Sequence, residues 1–154
     1  MLVRVSIASA LLAVLAGCGG GTSKQEFRQD VVAARNDADA GLKQVVQATS
    51  PEDLLARLKI AAVEVRGAAS DVRKSEAPGG LEDERDRLAD DMLALSDEII
   101  GTVETLESFP EQANATRALN FEQWNAVQAS LAALRREGVD VPALGRHAPE
   151  VRRE

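Results

Sequence analysis

Leu81, Leu88, Met92, Leu95, Ile99, Val103 and Leu106 recur at intervals of three, four and seven residues. A chain that turns once every 3.6 residues puts all of them on one side, so this stretch reads as an amphipathic helix over residues 81–107. Three more stripes share the period. Phe27, Val31, Ala34, Ala38, Leu42 and Val45 predict a helix over residues 24–48. Leu54, Leu58, Ala61, Val65, Ala68 and Val72 predict one over residues 51–77. Phe121, Trp124, Val127, Leu131 and Leu134 predict a fourth over residues 111–137.

The breaks between stripes are short and chemically clear. Ser50-Pro51, Pro78-Gly79-Gly80 and Phe109-Pro110 interrupt the helical pattern. Proline lacks the N–H that a helix interior needs and suits the first helical position. Ser23 with Glu26, Ser50 with Asp53, and Ser108 with Glu111 have capping-box spacing. Arg135 and Arg136 favour the negative end of a helix dipole, and Gly138 is a natural stop. Short links force successive helices into antiparallel neighbours. The expected fold is all-α, an up-down-up-down four-helix bundle over residues 24–138 followed by a tail, 139–154, whose Val139, Val141 and Leu144 suit packing back on the bundle. The four helices are expected to be similar in length, with weaker first turns in the last around Asn114 and Thr116.

The start of the chain carries a different message. Val5 to Leu15 is an apolar run relieved only by Ser6 and Ser9, preceded by the single charge of Arg4. It is shorter than the ~20 residues a membrane-spanning helix needs, and it fits a secretory signal over residues 1–17. Leu15-Ala16-Gly17-Cys18 resembles the lipobox of bacterial lipoproteins. That resemblance implies cleavage before Cys18, lipidation of its sulfur and acylation of the new N-terminus, with palmitate as a typical chain. Two or more acyl chains anchor a protein stably where one does not. Residues 18–23 then form a lipidated cysteine and a flexible tether of roughly 12 Å. The expected location is the extracytoplasmic face of the cell membrane, or the outer membrane of a cell that has two. Beyond the lipobox, the stretch from Trp124 to Leu131, Gly138-Val139-Asp140-Val141, and Ala77-Pro78-Gly79-Gly80-Leu81 resemble small lipoproteins of high-GC actinobacteria, which carry no activity to transfer.

Cys18 is the only cysteine, so the fold must stand without an internal disulfide. Of 18 basic residues only Arg4 precedes Cys18, leaving 17 against 25 acidic ones and a formal charge of −8. An acidic domain repels phosphate backbones, so no nucleic-acid partner is expected. The imbalance falls on one helix: Arg85 and Arg87 stand against ten acidic residues in 81–107. Asp83, Asp86, Asp90, Asp97 and Glu104 fall opposite its apolar stripe. They form a candidate surface for a basic protein or a cell-envelope component, although the ordinary reading of such a charge run is a solvated face that keeps the domain soluble.

Catalytic and metal chemistry find no parts. Asn36-Asp37-Ala38-Asp39-Ala40-Gly41 superficially resembles a calcium loop, but its glycine falls one position early and Ala48 stands where a bidentate Glu is required. A di-iron bundle needs Glu-x-x-His on two helices, and His147 is the only histidine. No Gly-x-Ser-x-Gly elbow and no phosphate-binding glycine loop is present. No catalytic residue, metal or cofactor is expected. Asn114-Ala115-Thr116 matches a glycosylation acceptor by chance. A covalent tether to peptidoglycan is not expected either, because the chain ends Arg-Arg-Glu instead of Lys. The expectation is a non-enzymatic interaction module. The alternative is a carrier or sensor of a small apolar ligand held among Phe27, Phe121 and Trp124, residues whose inward positions suit core packing better.

Overall fold

The computed structural model describes residues 22–114 and 120–145. Cys18, the signal segment and His147 lie outside the described residues. Within them the protein is a helical bundle of four α-helices: α1 (Lys24–Val45), α2 (Pro51–Lys74), α3 (Glu82–Ser108) and α4 (Gln123–Arg136). A short 3-10 turn, Pro110–Asn114, follows α3, and no strand occurs among the described residues.

Local chemistry sets each boundary. At the start of α1 both halves of the capping box form. Glu26 N–H donates to Ser23 Oγ at 3.2 Å, and Ser23 N–H donates to the Glu26 carboxylate at 2.9 Å. The backbone bond from Ser23 holds the Glu26 carboxyl below its usual value. At α2 the Ser50 hydroxyl accepts from Asp53 N–H at 3.1 Å, but the Asp53 carboxylate reaches one residue further back, to Thr49 N–H at 2.9 Å. That bond, with Arg57 beside it, lowers the Asp53 pKa. α1 ends at Val45, the last residue of its stripe and three short of the expected residue 48. Arg57 Nη1 takes the Gln44 carbonyl at 3.1 Å, and the capture of Thr49 N–H fixes the turn that follows. α2 ends before Ser75, whose hydroxyl folds back on the Val72 carbonyl at 2.7 Å.

The third capping pair does not form. Ser108 remains inside α3 and donates to the Glu104 carbonyl at 2.9 Å. The fourth helix is accordingly much shorter than expected, 14 residues against 27 in α3. Pro110 opens the 3-10 turn instead of an α-helix, and α4 begins only where Glu98 of α3 supplies acceptors for its first N–H groups. The Glu98 carboxylate receives Glu122 N–H at 2.8 Å and Gln123 N–H at 2.9 Å. A carboxylate at a helix N-terminus satisfies orphan donors and favours the dipole.

The apolar stripes meet as their period demands. Phe27, Val31, Leu58, Val65, Leu88, Met92, Leu95, Ile99, Leu131 and Leu134 are buried. α1 packs on α2, α2 on α3, and α3 on α4. Partners run in opposite order along neighbouring helices. Arg73 meets Asp90 and Arg66 meets Asp97, while Lys59 meets Glu107 at 2.5 Å. Ser96, fully buried on α3, donates to the Ala62 carbonyl of α2 at 2.9 Å. Gly41 marks a close α1–α2 approach: a Cβ there would sit 2.8 Å from Glu64 Cβ and 3.3 Å from Ala61 Cα. A glycine inside a helix ordinarily weakens it, but here it serves as a packing notch.

The fourth side of the bundle is built differently. No Cα of α1 comes within 8 Å of a Cα of α4. Residues 139–145 lie between them as an extended strap, with Val139, Val141 and Leu144 buried. Gly138, at φ +83°, turns the chain from α4 into the strap. That left-handed conformation suits glycine, and Val139 N–H closes the turn on the Leu134 carbonyl at 3.0 Å.

Candidate functional site

The candidate acidic surface on α3 divides when its neighbours are in place. Asp90 and Asp97 lean toward α2 and pair with Arg73 and Arg66. Asp86 pairs with the adjacent Arg85 at 2.8 Å. Asp83 and Glu104 are exposed and form no ion pair among the described residues. The predicted ridge is thus an exposed pair of ends flanking a ladder that α2 already neutralises. A wheel drawn for one helix shows direction relative to its own stripe but not the cations on the next helix.

The acids on the other flank of α3 do structural work that the sequence pattern did not disclose. Asp91 accepts from the buried hydroxyl of Ser130 on α4, and Glu98 caps α4. The two carboxylates stand seven residues apart, two turns along the same flank. That spacing was readable, but their partners come from a helix whose start the sequence misplaced.

Phe27, Phe121 and Trp124 are not brought together as a pocket. Phe27 is fully buried near the start of α1, the end where Lys24 Nζ reaches the Glu137 carbonyl at 2.7 Å. Trp124, half-buried, lies in the first turn of α4 beside the buried Phe121. Thirteen residues of α4 and its cap separate Trp124 from Glu137, roughly 20 Å at helical rise. The apolar period placed all three inward, but helix direction puts them at opposite ends. A shallow depression of about 210 Å³ lies elsewhere, on the α2–α3 surface, lined by Arg66, Ala69, Ser70, Arg73, Lys74 and Leu93.

Among the described residues no group of three or more His, Cys, Asp or Glu is placed to hold a metal. No described helix is long and apolar enough to cross a membrane.

The residues that sequence reasoning missed line the α1–α4 groove. Arg28 Nε donates to the Asp140 carbonyl at 2.6 Å, Arg135 Nη1 to the Val141 carbonyl at 2.7 Å, and Arg35 Nη2 to the Ala143 carbonyl. Gln128 donates to the Leu144 carbonyl at 2.8 Å, and Asp39 accepts Gly145 N–H at 2.6 Å. Their signal was the apolar spacing of Val139, Val141 and Leu144; nothing in the sequence paired these cations with carbonyl groups.

Compared with known protein families, curated proteins and solved structures, the chain gives no match.

Proposed function

We propose that the chain is a membrane-anchored extracytoplasmic lipoprotein whose helices, arranged up-down-up-down, form a non-enzymatic interaction module for a basic protein or cell-envelope component. The observation that carries the anchor is the run Leu15-Ala16-Gly17-Cys18 directly after an apolar segment headed by Arg4. Lipid at Cys18 then holds the domain through a five-residue tether, Gly19 to Ser23, on the outer face of the membrane. Support for the binding role comes from α3, where Asp83 and Glu104 stay exposed without an ion-pair partner among the described residues. Asp90 and Asp97 belong to the α2–α3 seam and contribute less free charge to a partner.

Mass spectrometry of the native product tests the anchor. The expected species begins at Cys18 and is heavier by its acyl groups; an unmodified chain beginning at Met1 in the cytosol sinks the reading. For the surface, Asp83→Lys with Glu104→Lys should abolish crosslinking to the partner while leaving the helical circular-dichroism signal intact, and unchanged crosslinking discards the acidic surface. The alternative of an apolar-ligand carrier near Trp124 has less support, because Phe27 stands at the other end of the bundle. A shift of Trp124 fluorescence during titration with a hydrophobe would revive it.

A further inference from the structure

Ile60 and Val63, 46% and 70% exposed, stand together on the outer side of α2. The other exposed large apolar side chains among the described residues, Val46 and Phe109, sit singly at the ends of α1 and α3. Ala56 and Gly67, both exposed, and half-buried Ser70 complete a line with Ile60 and Val63 at intervals of four, three, four and three. At 100° per residue the five fall within about 40° of the direction opposite buried Leu58, Val65 and Val72. Such alternation is the seam of a two-stranded coil, here on a helix whose other stripe is already spent in the core. Gly67 has nothing within 4 Å of where a Cβ would stand, so the face is open there. Charged edges flank the line. Lys59 and Arg66 lie on the α3 side, where they meet Glu107 and Asp97, and Glu52 precedes them at the same seven-residue spacing. Arg57 and Glu64 lie on the α1 side, beside the Gln44 carbonyl and Gly41, and Asp71 follows at that spacing.

We propose that this face of α2 docks the same face of a second copy, with the two α2 helices parallel about a two-fold axis that runs along them. The charges select both the occupant and its direction. In a parallel coil a residue on one edge of the seam faces the residue five positions further along the opposite edge of its partner. Lys59 then faces Glu64 of the second copy, Arg66 faces its Asp71, and Glu52 faces its Arg57. All three pairs have opposite signs, and the two-fold makes each of them twice. Glu64 forms no ion pair among the described residues, and Lys59 and Arg66 stay more than half exposed beside their α3 acids. An antiparallel pair would set each edge against itself, with Lys59, Arg66 and Arg73 facing their own row. The parallel arrangement also leaves both Lys24 ends of α1 on one side. Two chains anchored at Cys18 in one membrane would meet in that orientation and at a raised effective concentration. The pairing itself does not rest on the anchor.

Sedimentation of the full-length chain in mild detergent, across a dilution series, tests this. The expected result is a monomer–dimer equilibrium. Val63→Lys should abolish the dimer and leave the helical circular-dichroism signal unchanged. Glu64→Lys should weaken it roughly tenfold at low salt, because two attractions per dimer become repulsions. Adding Lys59→Glu to Glu64→Lys reverses both members of the pair and should restore the dimer. A chain that stays monomeric at every concentration, or a dimer indifferent to Val63→Lys, overturns the proposal. A dimer that Glu64→Lys weakens and Lys59→Glu does not restore overturns the parallel register.

Discussion

Along α2 and α3 cations meet carboxylates; between α1 and α4 they meet carbonyls. The side chains of the first seam are well exposed, Arg66 and Asp97 at 53% and 67%. Water competes for such pairs, and each is worth ~0–1 kcal/mol. Adhesion there comes from Leu58, Val65, Leu95 and Ile99 underneath. The second seam lacks a full helix–helix contact. Its strap has no secondary structure of its own, so its carbonyls need partners from elsewhere. Arg28, Arg35 and Arg135 provide them and thereby position Val139, Val141 and Leu144. The same residue type decorates one seam and organises the other.

The largest test of that contrast is Val141→Asp. It places an unpaired carboxylate where exposure is 0%, and should cost about 3 kcal/mol or more in urea unfolding. A loss under about 1 kcal/mol would mean the strap is not part of the cooperative unit. Next come Leu58→Ala and Leu144→Ala, expected at about 3 and about 2 kcal/mol, because the strap can close around its cavity better than a helix can. Equal costs would place strap and helix on the same footing. Glu98→Ala deprives two N–H groups of their acceptor. It should cost roughly 1–2 kcal/mol and speed hydrogen exchange in the first turn of α4. Arg73→Ala should cost less than about 1 kcal/mol, shrinking further in salt; a larger, salt-independent loss would overturn the view of the ladder as decoration.

The smallest effect concerns pH. Glu26 sits below its ordinary 4.5 because Ser23 N–H bonds its carboxylate. A lowered folded-state value contributes stability above the unfolded pKa and loses it as pH falls through the folded one. Thermal melts of the chain and of Glu26→Gln should therefore differ most near neutrality and converge in acid; a gap that widens on acidification would contradict the capping box.

Three of the four helices were legible almost to their ends, because their stripes are long and their breaks contain proline, glycine or a serine cap. The fourth was overextended. Ser108 and Glu111 have the spacing of a cap, yet Ser108 satisfies itself on the Glu104 carbonyl, and the true N-terminal acceptor, Glu98, comes from another helix. Spacing within one segment cannot disclose a cap supplied across the core. The acidic surface was half legible for the same reason: Asp83 and Glu104 point where the wheel put them, whereas Asp90 and Asp97 are claimed by α2. The strap's apolar anchors were visible and its cationic donors were not, since carbonyl partners leave no mark in a sequence.

The rungs between α2 and α3 repeat with a seven-residue spacing on Lys59, Arg66 and Arg73. A slide of two turns, ~10 Å, would bring Arg73 to Asp83, Arg66 to Asp90 and Lys59 to Asp97. Every cation would find a new anion, so the ladder is blind to that error. The Ser96 hydroxyl would likewise meet a new carbonyl, that of Leu55, but the slide would also press a leucine where Ala62 now fits against the fully buried Ser96, and overpacking a core costs about 1–3 kcal/mol. The small side chain of Ala62 in the middle of the bundle therefore keeps count of the turns, and Ala62→Leu would erase the difference in fit that separates the native alignment from its nearest misaligned copy.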